Sequence, residues 1–328
     1  MSSRLLQDIW ISLSNRVAVR RQYDLSASIF AKRAETIAKI PNFWPLVFEQ
    51  APPEIDQWIS TQDSSILLEH LTNLHVSRPD LDNKGSGNPR SLRIRFEFSS
   101  NPYFEDEVLE KTFWARRSKD GTTGLVSEPV RINWKIGKDP TQGMTDLARA
   151  LFEARTKLGD MTAKGLPEYT ALKKKVENWN GMNTSFFTWF GWVSSHRWVS
   201  VEENEQAIEA LKAEKAKRKD GGRVGPLDPA TVDAEAEAEE ALDDEAVEVH
   251  EAGDDLAIAI AEELWPSAIK YFTQAQEIEE MSDVDFEDDD MEEDDAEEGD
   301  EQPVDIRALV GKGRSRDSGG PPSKRQKT

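Results

Sequence analysis

The chain contains no cysteine. That removes disulfides, thiolate nucleophiles and Cys-type zinc sites in one step, and it is the composition expected in a reducing compartment. Histidine is nearly as scarce. His70, His75, His196 and His250 are too few and too scattered for a metal cluster, so neither a metal nor a cofactor is expected. No apolar run approaches the roughly 18 residues of a membrane helix, and no signal-peptide pattern is visible, which predicts a protein that neither spans a membrane nor is secreted. Glycine-rich phosphate cradles are missing too. Gly85-Ser86-Gly87 reads as a polar turn between strands, and Gly311-Lys312-Gly313 falls in a tail-like segment. Positive charge is absent, but for Lys270, from the whole stretch between Asp228 and Glu301.

Against that one cation stand 32 carboxylates in 74 residues, just over half of the 63 in the chain. The remainder carries 31 acidic and 40 basic residues, a net of +9, so the overall charge of −22 belongs to one region. Solvated acidic runs lack the burial that tunes a carboxylate for proton transfer, so no catalytic residue and no enzyme activity is expected. A net acidic surface also argues against direct nucleic-acid binding, which needs cations to displace counterions from phosphate. In the middle of the acid lies Leu256-Ala257-Ile258-Ala259-Ile260-Ala261-Glu262-Glu263-Leu264-Trp265-Pro266, an apolar segment that reads as packed. The acid is therefore attached to a rigid body and is not only a solubilising tail.

Residues 4–40 contain neither Gly nor Pro and predict a helix stopped by Pro41. Its seam, taken every 3.5 residues, is apolar at the ends (Leu6, Ile9, Leu13, then Phe30, Ile37) and polar at Arg16 and Arg20. An unbroken helix of that length spans about 55 Å, more than one small domain can bury, and such helices pair with a second copy. Two shorter helices broken near Tyr23–Ser28 are the alternative. A short helix over Ser64–Leu71 follows. Leu92-Arg93-Ile94-Arg95-Phe96-Glu97-Phe98 alternates strictly and predicts a strand with one wet face. Val108–Arg117 and Pro129–Ile136 (Val130, Ile132, Trp134 and Ile136 on one side) repeat the pattern, with turns at Asp82–Pro89 and Lys119–Gly124. Helical segments are expected at Thr145–Leu158, Glu168–Trp179, Glu202–Lys219 and Asp254–Gln276. Asp220–Gly253 and Glu277–Glu301 read as disordered acid. The fold class is thus α+β, an antiparallel sheet covered by helices.

Several blocks carry a resemblance. Lys32-Arg33-Ala34-Glu35-Thr36-Ile37-Ala38-Lys39-Ile40-Pro41-Asn42-Phe43-Trp44 resembles the junction between long helix and globular domain in nucleosome assembly proteins, most closely their SET branch. Asn101-Pro102-Tyr103-Phe104, Ile132-Asn133-Trp134-Lys135, Ser185-Phe186-Phe187-Thr188-Trp189-Phe190 and Asp254 through Pro266 are similar to further blocks of that family, in the same order. The resemblance implies a homodimer built on a long N-terminal dimerisation helix (1–40) with Leu6, Ile9, Leu13, Phe30 and Ile37 on the seam. It implies an α/β "earmuff" domain (41–200, completed by helices at 254–276), a charged helix and acidic insertion (201–253), an acidic tail (277–301) and a basic tail (302–328). A nuclear, non-enzymatic histone chaperone follows from it, shuttling with the cytoplasm as an open possibility. Core histones are then the partners, nucleic acid is met only through them, and no membrane is involved.

By that analogy Asp254, Asp255, Glu262 and Glu263 form an acidic underside that meets histones, with Glu105, Asp106 and Glu107 as a second candidate group. The simpler readings are a solvated helix face and a polar strand end. Phe186, Phe187, Trp189, Phe190 and Trp265 read as core. Lys324, Arg325 and Lys327 resemble a nuclear import signal. A rival reading makes the chain an acidic inhibitor of a protein phosphatase or histone acetyltransferase, without chaperone activity.

Overall fold

The computed structural model describes residues 2–82, 87–179, 184–219 and 247–287. The chain divides into a unit through Met281 and a second from Ser282 onward, of which the described part is the end of a helix.

Helix α1 (Ser2–Ile37) is unbroken over 36 residues, so the alternative of two helices near Tyr23–Ser28 does not occur. It stops three residues earlier than Pro41 alone requires. Lys39 N and Ile40 N bond to Thr36 O and Ile37 O in a tight turn, and Asn42 takes a left-handed conformation (φ 54°) that swings the chain into α2 (Phe43–Glu49). α3 (Pro53–Asp56) and α4 (Thr61–His70) follow. α4 begins at a capping box. The Ser60 hydroxyl accepts from Asp63 N, while the Asp63 carboxylate accepts from Ser60 N at 2.9 Å. The helix expected at Ser64–Leu71 therefore starts a turn earlier, where the box satisfies its first amides.

The sheet is antiparallel, in order β1 (Leu71–Ser77), β2 (Leu92–Phe98), β3 (Val108–Arg117), β4 (Thr123–Ser127), with α5 (Pro79–Asp82) between the first two strands. β2 follows the alternation of its sequence, with Leu92, Ile94, Phe96 and Phe98 buried and Arg93, Arg95 and Glu97 half-buried. β1 escaped the sequence reading because its register shifts between Leu71 and Asn73, which breaks the two-residue period. Pro129–Ile136 is not a strand, contrary to expectation. It crosses the sheet end as an irregular segment held by Lys135 N to Tyr103 O (2.8 Å), Glu105 N to Asn133 O (3.0 Å) and a bridge between Phe104 and Trp134. Ile132 is buried, Val130 and Trp134 pack against the core and Ile136 is fully exposed, so the apparent apolar face is three anchor points and a bystander.

Helices cover one face of the sheet. Phe96 meets the rings of Phe48, Phe98, Phe186, Trp189 and Phe190, the last three from a 3₁₀ helix (Phe186–Gly191), in tilted, stacked or edge-on arrangements. α6 (Met144–Leu158) and α7 (Pro167–Glu177) form a hairpin with a smaller core of their own, closed by Val249. α8 (Val201–Lys219) packs on β3 through buried Ala207. α9 (Gly253–Ala259), a π turn (Ile260–Leu264) and α10 (Ala268–Glu287) complete the chain's described part.

Two boundaries of the expected acidic disorder move. Residues 247–253 belong to the fold, with Val249, His250 and Gly253 buried, because His250 bonds to Thr188 and rests on Trp58. The final helix runs on to Glu287 instead of ending at Gln276. The rest of the insertion and tail, and Lys324, Arg325 and Lys327, lie outside the described residues.

Candidate functional site

The acidic segment is positioned by glycine and tryptophan. Ala252 is left-handed (φ 50°), and a side chain on Gly253 would overlap the Trp192 indole. The Gly253 carbonyl accepts from Trp189 Nε1 at 2.7 Å. α9 then buries Leu256 and Ala257, and the π turn buries Ile260, Ala261 and Leu264. Trp265 N closes that turn on Ile260 O at 2.9 Å. The extra residue in the turn lets two consecutive carboxylates, Glu262 and Glu263, face solvent between buried neighbours. Asp255 is exposed one helical stretch earlier, with Ile258 exposed between them.

Each carboxylate has its own surroundings. Glu262 pairs with Arg78 Nη2 at 3.2 Å. Glu263 accepts from the Tyr271 hydroxyl at 3.0 Å. That phenol is pushed up to about 12 by burial, by the Glu263 bond and by the charges of Glu263 and Glu54. Glu54 therefore belongs to the same negative surface. It sits with Asp56 on α3, which packs against α9. Sequence reasoning passed over both because α3 is four residues long and far away in the chain. Asp254 is half-buried and lines a cavity of about 110 Å³ between the β3–β4 turn and residues 194–199, where Arg116 and Arg197 also lie. Among the described residues neither Asp254 nor Asp255 has a hydrogen-bond or ion-pair partner, whereas Glu262 and Glu263 each have one.

The second candidate group is elsewhere. Glu107 precedes the start of β3, whereas Arg116 and Asp254 lie at its other end, about 30 Å away at 3.3 Å per residue. Within it, Asp106 accepts from Asn133 N (2.6 Å) and Asn133 Nδ2 (2.7 Å), so its carboxylate fastens the 132–135 segment. Glu105 and Glu107 are exposed.

α1 divides its apolar residues. Phe30 lies 4.3 Å from Trp265, and Ile37 is buried in the core of its own chain. Among the described side chains of the helix, Val17, Leu25 and Ile29 are the exposed large apolar ones. Leu6, Ile9 and Leu13 lie on α1, in the part whose side chains are not described. A second anchor joins the helix to the domain, Tyr23 Oη donating to Asp82 Oδ1 at 2.5 Å.

No group of His, Asp and Glu among the described residues is arranged to hold a metal, and no described helix is long and apolar enough to cross a membrane. The buried titratable groups are structural. Lys111 Nζ donates to the carbonyls of Glu128 (3.1 Å), Phe190 (3.1 Å) and Trp192 (2.9 Å), and full burial holds its pKa well below the usual lysine value. His250 is pushed down to about 3 by burial and by the Lys111 charge.

A sheet under helices, a 36-residue leading helix and a carboxylate-bearing turn on a rigid core are the geometry against which known proteins are compared. The sequence model of the family described as "Nucleosome assembly protein (NAP)" matches residues 24–275. The chain belongs to the nucleosome assembly protein family. A nucleosome assembly protein of Schizosaccharomyces pombe is 28% identical over 277 residues, 81% of this chain and 76% of that protein. Human Protein SETSIP is 30% identical over 191 residues, 58% of this chain and 52% of its own length. NAP1-related protein 1 of Arabidopsis thaliana is 31% identical over 173 residues, 52% and 53% respectively. The chain thus spans about half the length of the latter two. A crystal structure of the Vps75 histone chaperone, 20% identical, superposes with a TM-score of 0.49 over 83% of this chain and 96% of that one. The SET-like resemblance of the core blocks stands, and the nucleosome assembly proteins are not enzymes.

Proposed function

We propose that this nucleosome assembly protein is a histone chaperone that receives core histones on the face made by α9, the π turn and α3. Asp254, Asp255, Glu262, Glu263, Glu54 and Asp56 supply the negative charge there, and the acidic sequence after Glu287 extends it. The observation that supports this most is the π turn, which fixes two adjacent carboxylates on a packed core instead of leaving them on a solvated tail. Each exposed ion pair contributes at most about 1 kcal/mol, so binding is many weak contacts that exchange readily. Such contacts shield histone charge and yield the cargo to DNA, whose charge density is higher. Nucleic acid then meets the chain only through histones.

The functional unit in this reading is a homodimer in which α1 meets its counterpart through Val17, Leu25 and Ile29, since Phe30 and Ile37 are used by the chain's own domain. The site of action is the nucleus, with Lys324, Arg325 and Lys327 as the import signal. Asp106 leaves the binding set, because Asn133 occupies it.

Titration of purified core histones against the full chain and a version ending at Glu287 tests the reading. Truncation weakens binding without abolishing it. If neither form binds histones at physiological salt, the chaperone reading is wrong, and inhibition of a protein phosphatase or acetyltransferase becomes the reading to pursue.

A further inference from the structure

Arg78 stands where a ligand's cation would stand. It follows β1 directly, and its side chain is only 14% exposed while that of Glu262 is 57% exposed. Three contacts hold it in place. Its Nη1 donates to Pro89 O at 2.5 Å, its Nη2 to Glu262 Oε1 at 3.2 Å, and its backbone N–H reaches the Tyr23 hydroxyl at 3.4 Å. Tyr23 in turn donates to Asp82. The arginine is thus pinned from the 89–90 turn and from α1, and Glu262 leans against it from the π turn.

We propose that Arg78 is a resident counter-cation of the acidic face. It occupies Glu262 in the free protein and competes with the lysine or arginine side chains of a bound histone, which makes it a specificity-determining residue that restrains affinity. This rests on the histone-chaperone reading and deepens it. The physical reason is that Glu262 is the carboxylate of the face already paired with a charge, Glu263 being held by the neutral phenol of Tyr271. Of the other cations nearby, Arg33 is held by the Trp265 and Pro266 carbonyls, and Lys270 sits 5.1 Å over the Tyr271 ring and is exposed, so it can swing away, whereas Arg78 cannot. An incoming cation must take Glu262 from a guanidinium that stays beside it. That trade lowers the gain from the contact and leaves a repulsive charge at the edge of the site. A chaperone that must release its cargo benefits from such a restraint.

A double-mutant cycle on the full chain tests this by histone H3–H4 binding at fixed moderate salt. Arg78→Met is expected to tighten binding roughly two- to fivefold, the range of one exposed ion pair. Glu262→Gln is expected to weaken binding more in the Arg78→Met background than in the unmutated protein, because only there is the carboxylate free for the ligand. Equal losses in both backgrounds, or no tightening by Arg78→Met, would overturn the proposal while leaving histone binding itself intact. Absence of histone binding by every form overturns instead the chaperone reading on which it rests. Should Arg78→Met lower the melting temperature, ¹⁵N-arginine labelling of the unmutated chain decides. The Arg78 guanidinium resonance must shift as histones saturate the face, and an unchanged resonance refutes the competition.

Discussion

The Arg33 guanidinium lies 4.5 Å from the centroid of the Trp265 ring and donates to the Trp265 carbonyl at 2.6 Å, which fastens the long helix to the end of the acidic turn. Phe30, itself against Trp265, lies 4.6 Å from the same guanidinium, and Trp265 Nε1 donates to Leu74 O of the edge strand. Helix, acidic turn and sheet edge therefore meet at one cation. Burial holds Arg33 down at about 10, still charged at neutral pH.

Replacing Arg33 by Met removes two carbonyl bonds and a cation–π stack. The expected cost is roughly 1–3 kcal/mol in urea unfolding. Lysine at the same position recovers little of it, since an ammonium cannot stack flat and reach both the Trp265 and Pro266 carbonyls. Equal stability of the Met and Lys variants with the native chain contradicts this arrangement.

Leu25→Asp combined with Ile29→Asp places charge on the exposed apolar side of α1. Sedimentation at moderate salt should show the proposed dimer for the native chain and a monomer for this variant, with an unchanged melting transition. Ile37→Ala acts differently. It opens a cavity in the chain's own core and should cost about 2–4 kcal/mol while the association state persists.

Asp63 is fully buried, and its carboxylate accepts from Ser60 N, Ser60 Oγ, Ser185 Oγ (2.6 Å) and Phe186 N (2.8 Å). Burial raises its pKa and these bonds oppose the rise. It joins the start of α4 to the 3₁₀ helix that carries the aromatic core. Asp63→Ala strands those donors and should destabilise by roughly 2–4 kcal/mol, with little change in helix content by circular dichroism.

His250 makes the fold sensitive to mild acid. Its folded pKa, about 3, lies below the ordinary 6.5, so the unfolded chain binds the extra proton throughout that window. Stability contributed by the neutral ring is complete above pH 6.5 and is lost as pH falls. Between pH 7.5 and 5 the loss attributable to this group is about 2 kcal/mol. A His250→Phe variant, compared with the native chain at both pH values, should show that much less pH dependence. An identical pH dependence would contradict the buried neutral ring.

Much of the architecture is legible in one dimension. The alternation of Leu92–Phe98 reports a strand with one buried face because neighbouring side chains of a strand point opposite ways. The freedom from Gly and Pro before Pro41 reports a long helix, and the concentration of acid, nearly without cations, in 228–301 reports an anionic surface. Pro129–Ile136 misled the same logic, since three anchored side chains in an irregular segment mimic the period of a strand. Lys111 shares the inward parity of Leu109 and Phe113 and is buried with them, at a position where a lysine gives no sign of burial.

Charge segregation and the leading helix are thus properties of the sequence by itself, because composition and local period suffice to specify them. Which carboxylate is free is decided only by the fold. Arg78 and Glu262 are 184 residues apart, Asp106 and Asn133 27, and Tyr271 and Glu263 8, and no local pattern announces any of these pairs. A charge becomes available or engaged through what the chain's other segments bring within about 3 Å of it, and that distance exists only in three dimensions.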